Sequence, residues 1–198
     1  MTQKKPVKSK KSDLTRAAIL AAARELFTSQ GFDHTTVRDV AAKAKIDPAM
    51  VIRYFGSKDE LFALAVEFDL RLPDLSKVPR DAVGATLAAH YFGLWEGENR
   101  NHGLPLLMRS AASNEFAAAK MREMFGKQVA PAIAALVGPA QAAACAGLVA
   151  SQLLGMAFCR HIIKLPPAVA MPRDAMIKAL GQTIQNYMLP RGIKPSEP

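Results

Sequence analysis

The stretch that decides the fold runs from residue 35 to residue 61 and reads TTVRDVAAKAKIDPAMVIRYFGSKDEL. Two pairs of residues in it are typical of helix starts. Thr36 is followed three positions later by Asp39, so its hydroxyl is placed to cap a helix of about two turns. Asp47 precedes Pro48, a capping carboxylate followed by proline at the first helical position, where the missing N–H costs nothing. The stretch therefore predicts two short helices in succession.

Apolar residues recur at helical spacing in both segments. The first segment carries Val37, Val40, Ala41 and Ala44. In the second, Val51 and Phe55 are four positions apart and are expected to pack inward. This leaves for another face Ala49, Met50, Arg53 and Tyr54. An outward arginine and tyrosine suit a groove of DNA and its phosphates, and a solvated face is the alternative.

A tight turn and a third helix complete the pattern. Only Lys45 and Ile46 separate the two helices, which leaves room for a turn alone. Ser57 with Glu60 three positions later is a capping box, and Lys58 lies in the first turn of the helix that it opens. The apolar stripe of that helix is Leu61, Leu64, Ala65 and Phe68. Two short helices, a turn and a capped third helix form the layout of a helix-turn-helix DNA reader.

Residues 15 to 61, about a quarter of the chain, resemble the DNA-binding domain of the TetR family of one-component regulators. The resemblance rests on four spaced elements. These are Thr15-Arg16-x-x-Ile19-Leu20-x-Ala22-Ala23, then Leu26-Phe27 and Gly31-Phe32, then Thr35-Thr36-Val37-Arg38-Asp39-Val40-Ala41, and finally Tyr54-Phe55-x-Ser57-Lys58. The resemblance implies an all-α protein with an N-terminal three-helix DNA-binding domain and a larger helical domain for ligand binding and dimerisation.

Three positions depart from the family pattern. Lys45 stands in the turn where the family usually has glycine, and a left-handed conformation there costs about 1 kcal/mol or more. Ile52 replaces a frequent tyrosine on the recognition helix, and Asp47 replaces the usual serine cap. The turn and the backbone contacts to DNA are therefore expected to differ slightly from those of the family.

The residues expected to contact DNA are Thr36, Arg38, Pro48, Ala49, Met50, Arg53, Tyr54 and Lys58. For Arg38 two interpretations stay open, a phosphate contact or an ion pair with Asp39 or another nearby carboxylate. Double-stranded DNA with a palindromic operator is the expected partner, because a twofold dimer presents two recognition helices about 34 Å apart on one face of the duplex.

Charge and composition limit the possible functions, but the net charge does not distinguish one domain from the other. The net charge is +9, with 13 basic and 9 acidic groups in residues 1 to 72 and 13 and 8 in residues 73 to 198. Half of the residues are hydrophobic, and no alternating strand pattern occurs, which favours an all-helical fold. Basic groups concentrate at the N-terminus, at Lys4, Lys5, Lys8, Lys10 and Lys11.

We predict that residues 1–12 form a disordered basic arm, which either lies along DNA or only keeps the protein soluble. No apolar segment follows its lysines as in a signal peptide, so a cytoplasmic location is expected. The DNA-binding domain with its connecting helix is assigned to residues 13–72, because Pro73 and Pro79 mark the junction. Residues 73–190 are assigned to the ligand-binding and dimerisation domain, and residues 191–198 to a flexible tail.

Five helices are predicted in the second domain, separated by glycine and proline: residues 80–97, 104–113, 115–137, 140–164 and 173–189. Pro131 is expected to bend the third of them. The segment from Gln128 to Cys159 has no charged residue, but its prolines, glycines, glutamines and many alanines favour a helix buried in protein over a membrane span.

The last two helices are the predicted dimer interface. Small residues recur every fourth position along the first of them and allow a close helix contact. In proteins that resemble TetR these helices form a four-helix bundle with a second subunit; the core of a monomer is the alternative. The candidate interface residues are Ala143, Gly147, Ser151, Gly155, Cys159, Ile177, Leu180 and Ile184.

The resemblance also implies a small effector that binds the C-terminal domain and releases DNA. A small, largely apolar effector is expected, because aromatic and methionine side chains line apolar pockets. The candidate pocket residues are His90, Tyr91, Trp95, Met108, Phe116, Met121, Phe125 and Phe158. Each of them is also compatible with a plain core position.

Catalysis and metal binding find little support. Phosphate loops, nucleophile elbows and zinc-protease motifs are absent, so no catalytic residue and no cofactor is expected. Cys159 and His161 are close in sequence, but a zinc site needs further ligands, so no metal is expected and a helical enzyme with a metal site is a remote alternative. Cys145 lies about 21 Å from Cys159 along one helix, too far for a disulfide. A non-specific DNA-compacting protein is the other alternative to a sequence-specific repressor.

Overall fold

The computed structural model describes residues 8–67, 69–97 and 103–188, and all regular secondary structure in these ranges is helical. The all-α prediction is confirmed. Contacts divide the described residues into two compact units. The N-terminal unit comprises residues 8–67 and 103–121, and the C-terminal unit comprises residues 69–97 and 122–188.

One long helix and several shorter ones form most of the described N-terminal unit. They are α1 (Lys8–His34), α2 (Val37–Ala44), α3 (Pro48–Phe55), α4 (Lys58–Ala65), α6 (Gly103–Ala111) and the greater part of α7 (Glu115–Met124). Gly31, with φ 81°, interrupts α1 near its end. A residue without Cβ adopts this conformation at little cost, and the break turns the chain before Phe32.

Aromatic rings form the centre of this unit. Phe27 and Phe62 are fully buried and meet edge to face, with 5.2 Å between ring centroids. Phe32 lies 4.8 Å from Phe62 and 5.9 Å from Phe27. Edge-to-face aromatic pairs are favourable beyond the area that they bury. This cluster packs α1 against α4. The same core contains the buried side chains of α2 and α3, and we call α2, α3 and α4 the reader helices.

The described C-terminal unit contains helices of 5 to 19 residues and two π turns. Its elements are a 3₁₀ turn (Leu75–Lys77), α5 (Val83–Glu96), a π turn (Phe125–Val129), α8 (Ala130–Val137), α9 (Pro139–Ala157), a π turn (Phe158–Ile162), α10 (Pro166–Ala170) and α11 (Arg173–Met188). The first π turn comes directly before Pro131, whose ring would clash with a regular helical turn. This is how the predicted helix 115–137 accommodates its proline.

Two glycines let α5 and α11 approach closely. A Cβ built on Gly84 would lie 2.1 Å from the Gly181 carbonyl oxygen, and one on Gly181 would lie 3.0 Å from the Ala85 Cα. Gln185 of α11 accepts a hydrogen bond from the Gly84 N–H at 2.8 Å and donates one to the Arg80 carbonyl at 2.7 Å. This helix pair is the main packing contact of the unit.

Three features differ from the predicted domain organisation. Helix α1 begins at Lys8, so residues 8–12 of the predicted disordered arm have helical backbone; Lys4 and Lys5 lie outside the described residues. Helix α4 ends at Ala65, before the predicted junction, and the backbone of Leu70 bonds the side chains of Gln128 and His90. Residues 103–121 pack in the N-terminal unit, although the sequence placed them in the second domain. The predicted tail lies outside the described residues.

Candidate DNA-reading face and effector site

Helix α2 begins in a complete capping box. The Thr36 Oγ1 accepts a hydrogen bond from the Asp39 N–H at 3.2 Å, and the Thr36 N–H donates to Asp39 Oδ2 at 2.8 Å. The Thr36 hydroxyl also donates to Oδ2 at 2.7 Å. These bonds, that of the hydroxyl above all, lower the pKa of Asp39 from its usual value, because they stabilise the charged carboxylate.

The turn between α2 and α3 adopts the predicted left-handed conformation at Lys45, with φ 57° and ψ 46°. Its N–H donates to the Ala42 carbonyl at 3.2 Å, and the Ile46 N–H donates to the Ala41 carbonyl at 2.9 Å. These bonds satisfy carbonyls at the end of α2. The left-handed conformation of a residue with a Cβ costs about 1 to 2 kcal/mol. In this protein it allows a short turn between α2 and α3.

Helix α3 is oriented by its cap and by two buried side chains. Asp47 caps it by accepting a hydrogen bond from the Ala49 N–H at 2.7 Å. Val51 and Phe55 are buried in the unit core, as predicted. Because these two residues fix the inner face, Ala49, Ile52 and Arg53 lie exposed on the outer side.

The predicted DNA contacts fall into two groups. Thr36, Arg38, Pro48, Ala49 and Arg53 are exposed. The three others, Met50, Tyr54 and Lys58, are half-buried.

Tyr54 packs against the core, and Lys58 holds its Nζ 4.3 Å from the centroid of the Phe32 ring. The Lys58 Nζ also donates to the Asp33 carbonyl at 3.5 Å. These contacts are compatible with a phosphate contact, since a lysine has three donors.

The ion-pair interpretation of Arg38 finds no support. Asp39 is engaged by Thr36, and no ion pair joins Arg38 to a carboxylate within the part of the chain that the structure describes. The phosphate contact of this exposed cation stays a prediction.

Ile52 was not among the residues predicted to contact DNA, although its side chain is 46% exposed on the outer face of α3. Its position three residues after Ala49 and directly before Arg53 is the signal that places it on this face. The sequence identified Ile52 only as a residue that departs from the family pattern.

The predicted effector residues do not form one group. Phe116 and Met121 pack against the aromatic core of the N-terminal unit, where the Phe116 ring lies 6.5 Å from that of Phe32 and 6.3 Å from that of Phe62. Met108 belongs to the same unit and is half-buried. In that unit Phe116 and Met121 act as core residues, one of the two possibilities that the sequence left open.

The other candidates belong to the C-terminal unit and have different environments. His90 Nε2 lies 2.8 Å from the Leu70 carbonyl oxygen, a bond that ties the segment after α4 to α5. Phe125 is half-buried at the start of its π turn. Phe158 is 45% exposed. Tyr91 and Trp95 are buried, one turn apart on α5.

The rings of Tyr91 and Trp95 contact the ring of His161, which was not among the predicted pocket residues. The Trp95 and His161 rings stack with 4.7 Å between centroids and 7° between planes. The Tyr91 centroid lies 6.1 Å from that of Trp95 and 6.3 Å from that of His161. His161 comes from the π turn after α9, and no sequence signal links that turn to α5.

An ion pair borders these rings. Arg160 Nε donates to Glu96 Oε1 at 2.7 Å, and Arg160 Nη1 donates to the carbonyls of Ala168 and Met171. Burial lowers the pKa of His161, the Glu96 carboxylate opposes this shift, and the Arg160 charge adds to it. Burial also raises the pKa of the Tyr91 hydroxyl, as does the Glu96 carboxylate. Both groups are therefore neutral at physiological pH.

A separate open groove of about 370 Å³ lies beside α5 and α11. Its lining is largely polar: Asp81, Ala85, Lys178, Gly181, Gln182, Gln185 and Asn186. It contains none of the predicted effector residues.

The dimer candidates divide by burial. Ala143, Ser151 and Gly155 are exposed on α9, and Gly147, Cys159 and Ile177 are partly exposed. Leu180 and Ile184 are 2% and 0% exposed in the single chain. These two residues do not reach the surface, contrary to the prediction, because α11 packs against α5 and α9 of its own subunit.

By length and composition, Pro139–Ile162 is apolar enough to cross a membrane, which is weak support for such a role when it stands alone. Only 22% of its most apolar window is buried in the single chain, although the sequence predicted a helix buried in protein. Cys145 and Cys159 are free thiols. In the described ranges no group of three or more His, Cys, Asp or Glu residues is placed to hold a metal ion.

Two family models match this chain. The model described as bacterial regulatory proteins, tetR family, matches residues 19–65. The model described as tetracyclin repressor-like, C-terminal domain, matches residues 81–188, more than half of the chain.

Curated relatives are similar over part of the chain. An HTH-type transcriptional repressor of Mycobacterium tuberculosis is 38% identical over 77 residues, which is 37% of this chain and 41% of the relative. The HTH-type transcriptional repressor NicS of Pseudomonas putida is 36% identical over 66 residues, 33% of this chain and 31% of that protein. The chain spans about two fifths or less of the length of these relatives.

Solved structures are similar over nearly the whole chain. A TetR-family regulator from Streptomyces coelicolor has a TM-score of 0.64 and 26% identity, covering 94% of this chain and 99% of that one. NalD, described as the secondary repressor of the MexAB-OprM multidrug efflux pump in Pseudomonas aeruginosa, has a TM-score of 0.66 and 21% identity, covering 93% and 100%. The second likeness is one of fold.

Proposed function

The chain belongs to the TetR family of bacterial transcriptional regulators, and on that premise we propose that it is a repressor released from DNA by a small effector. The observation that carries the proposal is the outer face of α3, where Ala49, Ile52 and Arg53 are exposed on a helix fixed by a cap and two buried side chains. Such a helix enters the major groove as a rigid element. A cytoplasmic location follows from this function.

The exposed residues suit different parts of DNA. Arg53 has no ion pair within the described residues and is free to donate two hydrogen bonds to the O6 and N7 atoms of a guanine. Arg38 places a cation in the first turn of α2, and Lys58 places one in the first turn of α4. Thr36 adds a hydroxyl group before α2. These groups contact phosphates, fix the register and carry no sequence information by themselves. Ala49, Met50 and Tyr54 complete the contact surface beside Pro48.

The proposed active form is a homodimer on a palindromic operator. Helix α9 is apolar yet mostly uncovered in the single chain, and Leu148 on it is 48% exposed. An apolar surface of this kind is typical of a protein interface. The small residues Ala143, Ser151 and Gly155 on the exposed side of α9 allow a second copy to approach closely. Leu180 and Ile184 support this interface from within the subunit.

Selection of bound sequences from random duplex DNA at physiological salt tests the proposal. We expect enrichment of a palindrome, and competition by unrelated DNA at least about a thousandfold weaker. A DNA-compacting protein would instead bind all duplexes with similar, salt-sensitive affinity. No enrichment despite tight binding would refute the repressor proposal and favour compaction.

A further inference from the structure

Two buried polar atoms of the C-terminal unit have no hydrogen-bond partner within the described part of the chain. They are the Tyr91 hydroxyl oxygen and His161 Nε2. Tyr91 as a whole is 5% exposed, so bulk water does not serve its hydroxyl. An unpaired buried group of this kind costs about 1 to 3 kcal/mol. Native proteins rarely leave two such groups on neighbouring rings, which indicates a small molecule that bonds both.

The surroundings favour a planar apolar body for that molecule. Trp95 and His161 stack in parallel, and Phe92 meets Tyr91 edge to face at 5.1 Å between centroids. Aromatic faces and edges attract further aromatic rings. Phe158, on the same π turn as His161, is 45% exposed, so this turn reaches the surface.

The charges favour a neutral molecule. Glu96 and Arg160 pair at 2.7 Å, with side chains 24% and 13% exposed, and the Arg160 guanidinium has further carbonyl partners. No unpaired charge is therefore left beside the rings within the described residues. Burial of a charged ligand among aromatic side chains would cost several kcal/mol without a counter-ion.

The two unpaired atoms favour an oxygen acceptor on the molecule. The Tyr91 hydroxyl retains its proton, because burial raises its pKa. His161 Nε2 lies 3.8 Å from Glu96 Oε1, too far for a hydrogen bond but close enough for the carboxylate to favour a proton on Nε2. Both atoms then donate, and one oxygen atom with two lone pairs accepts from both.

We propose that Tyr91 and His161 donate hydrogen bonds to one hydroxyl or carbonyl oxygen of a small neutral aromatic molecule, whose ring lies among the side chains of Trp95 and Phe92. This inference rests on the effector response proposed above and adds the chemical class of the effector. It also identifies His161 as a contact that the sequence did not select.

Phenol and toluene are matched probes, because a hydroxyl in one replaces a methyl group in the other. Trp95 is the only tryptophan of the chain, so its fluorescence reports directly on this site. Titration of the full chain with phenol is expected to give a saturable change in Trp95 emission. Toluene is expected to bind at least about tenfold more weakly, because it lacks the oxygen that accepts from both Tyr91 and His161, and each lost hydrogen bond costs about 1 kcal/mol.

The Tyr91→Phe variant separates a ligand contact from a structural role. It removes an unpaired hydroxyl, so the melting temperature is expected to stay equal or rise, while the preference for phenol over toluene falls several-fold, because only the His161 donor is left for the phenol oxygen. Tyr187→Phe is the matched control, because the Tyr187 hydroxyl already bonds Gln152 at 3.4 Å. The control is expected to melt at a slightly lower temperature and to keep the preference for phenol.

The proposal is overturned if phenol gives no saturable change, if toluene binds equally well, or if Tyr91→Phe leaves the preference for phenol undiminished. In each case the two atoms bond water only. Operator binding, measured in parallel, separates this inference from the proposed function. If phenol occupies the site but leaves the operator complex intact, the site stands and the release mechanism fails.

Discussion

The reader helices of the N-terminal unit and the helices α5 and α11 of the C-terminal unit satisfy their backbone ends in different ways. Thr36, Asp47 and Ser57 each bond an N–H group in the first turn of the helix that they precede. Helix α5 begins at Val83, the preceding Ala82 provides no side-chain cap, and the Gly84 N–H donates to Gln185 of α11, 101 residues away. The reader helices therefore carry their own start signals, whereas α5 depends on a distant partner.

The difference suits the two tasks. A recognition helix has to be presented on a rigid support, and local caps hold α3 in place without covering its outer face. A domain that responds to a ligand needs helices whose contacts with one another can change. Contacts of this kind join residues that are far apart in the sequence. Each of the following variants tests one side of this comparison.

The largest effect is expected for Gly84→Ala in the C-terminal unit. The added Cβ would meet the Gly181 carbonyl oxygen at 2.1 Å, so α5 and α11 have to separate. We expect a loss of about 3 kcal/mol in the free energy of unfolding, measured by urea denaturation with Trp95 fluorescence. The matched control is Gly93→Ala on the same helix, where the Cβ meets nothing within 4 Å and a gain of up to about 1 kcal/mol is expected. Equal behaviour of both variants would contradict the close contact.

Gln185→Met tests the long-range cap with little change in volume. It removes the acceptor of the Gly84 N–H and the donor to the Arg80 carbonyl. A buried donor without a partner costs about 2 kcal/mol, and the Trp95 fluorescence transition should move to lower urea accordingly. Gln182→Met, an exposed change on the same helix, should shift it by less than about 0.5 kcal/mol. An unchanged transition in Gln185→Met would show that α5 needs no partner at this end.

Thr36→Ala tests the local cap of α2. It removes the hydroxyl that accepts the Asp39 N–H, and a loss of about 1 kcal/mol is expected. Thermal unfolding followed by circular dichroism measures the effect. Thr36→Ser keeps the hydroxyl and should unfold close to the parent protein. If both substitutions cost the same, the methyl group of the threonine and not its hydroxyl stabilises this helix start.

The smallest effect is a pH dependence from the same capping box. The pKa of Asp39 is lower in the folded protein than its usual value of 3.8, so the carboxylate stabilises the fold fully above about pH 4. This contribution is lost as the pH falls through the lower folded pKa. Asp39→Asn should therefore be less stable than the parent near neutral pH, with a difference that shrinks below pH 4 in urea titrations. A difference that is constant with pH would rule out the charged cap.

The reader could be predicted from the sequence because its determinants are local. The caps at Thr36, Asp47 and Ser57, the inward side chains of Val51 and Phe55 and the left-handed Lys45 all follow from residues within a few positions of one another. Only Ile52 was missed there, since it was compared with the family pattern instead of being placed on the helix. Helix type and order in the remaining chain followed from glycine and proline positions.

The surroundings of the candidate effector and interface residues could not be predicted in the same way. Periodicity shows that Phe116, Leu180 and Ile184 are apolar, but it does not show what covers them. Phe116 packs on the aromatic core of the N-terminal unit, and Leu180 and Ile184 are buried within their own subunit. The stacking of Trp95 on His161 joins two helices far apart in sequence, and neither helix carries a motif for it.

The central claim is that the outer face of α3 reads bases, and Arg53→Ala tests it most directly. Affinity is to be measured at physiological salt for the selected operator and for unrelated DNA, with parent, Arg53→Ala and Lys58→Ala proteins. We expect Arg53→Ala to lose about 1 to 3 kcal/mol on the operator and little on unrelated DNA, and Lys58→Ala to weaken both about equally. An equal loss for Arg53→Ala on both DNAs, or no loss on either, would contradict the account.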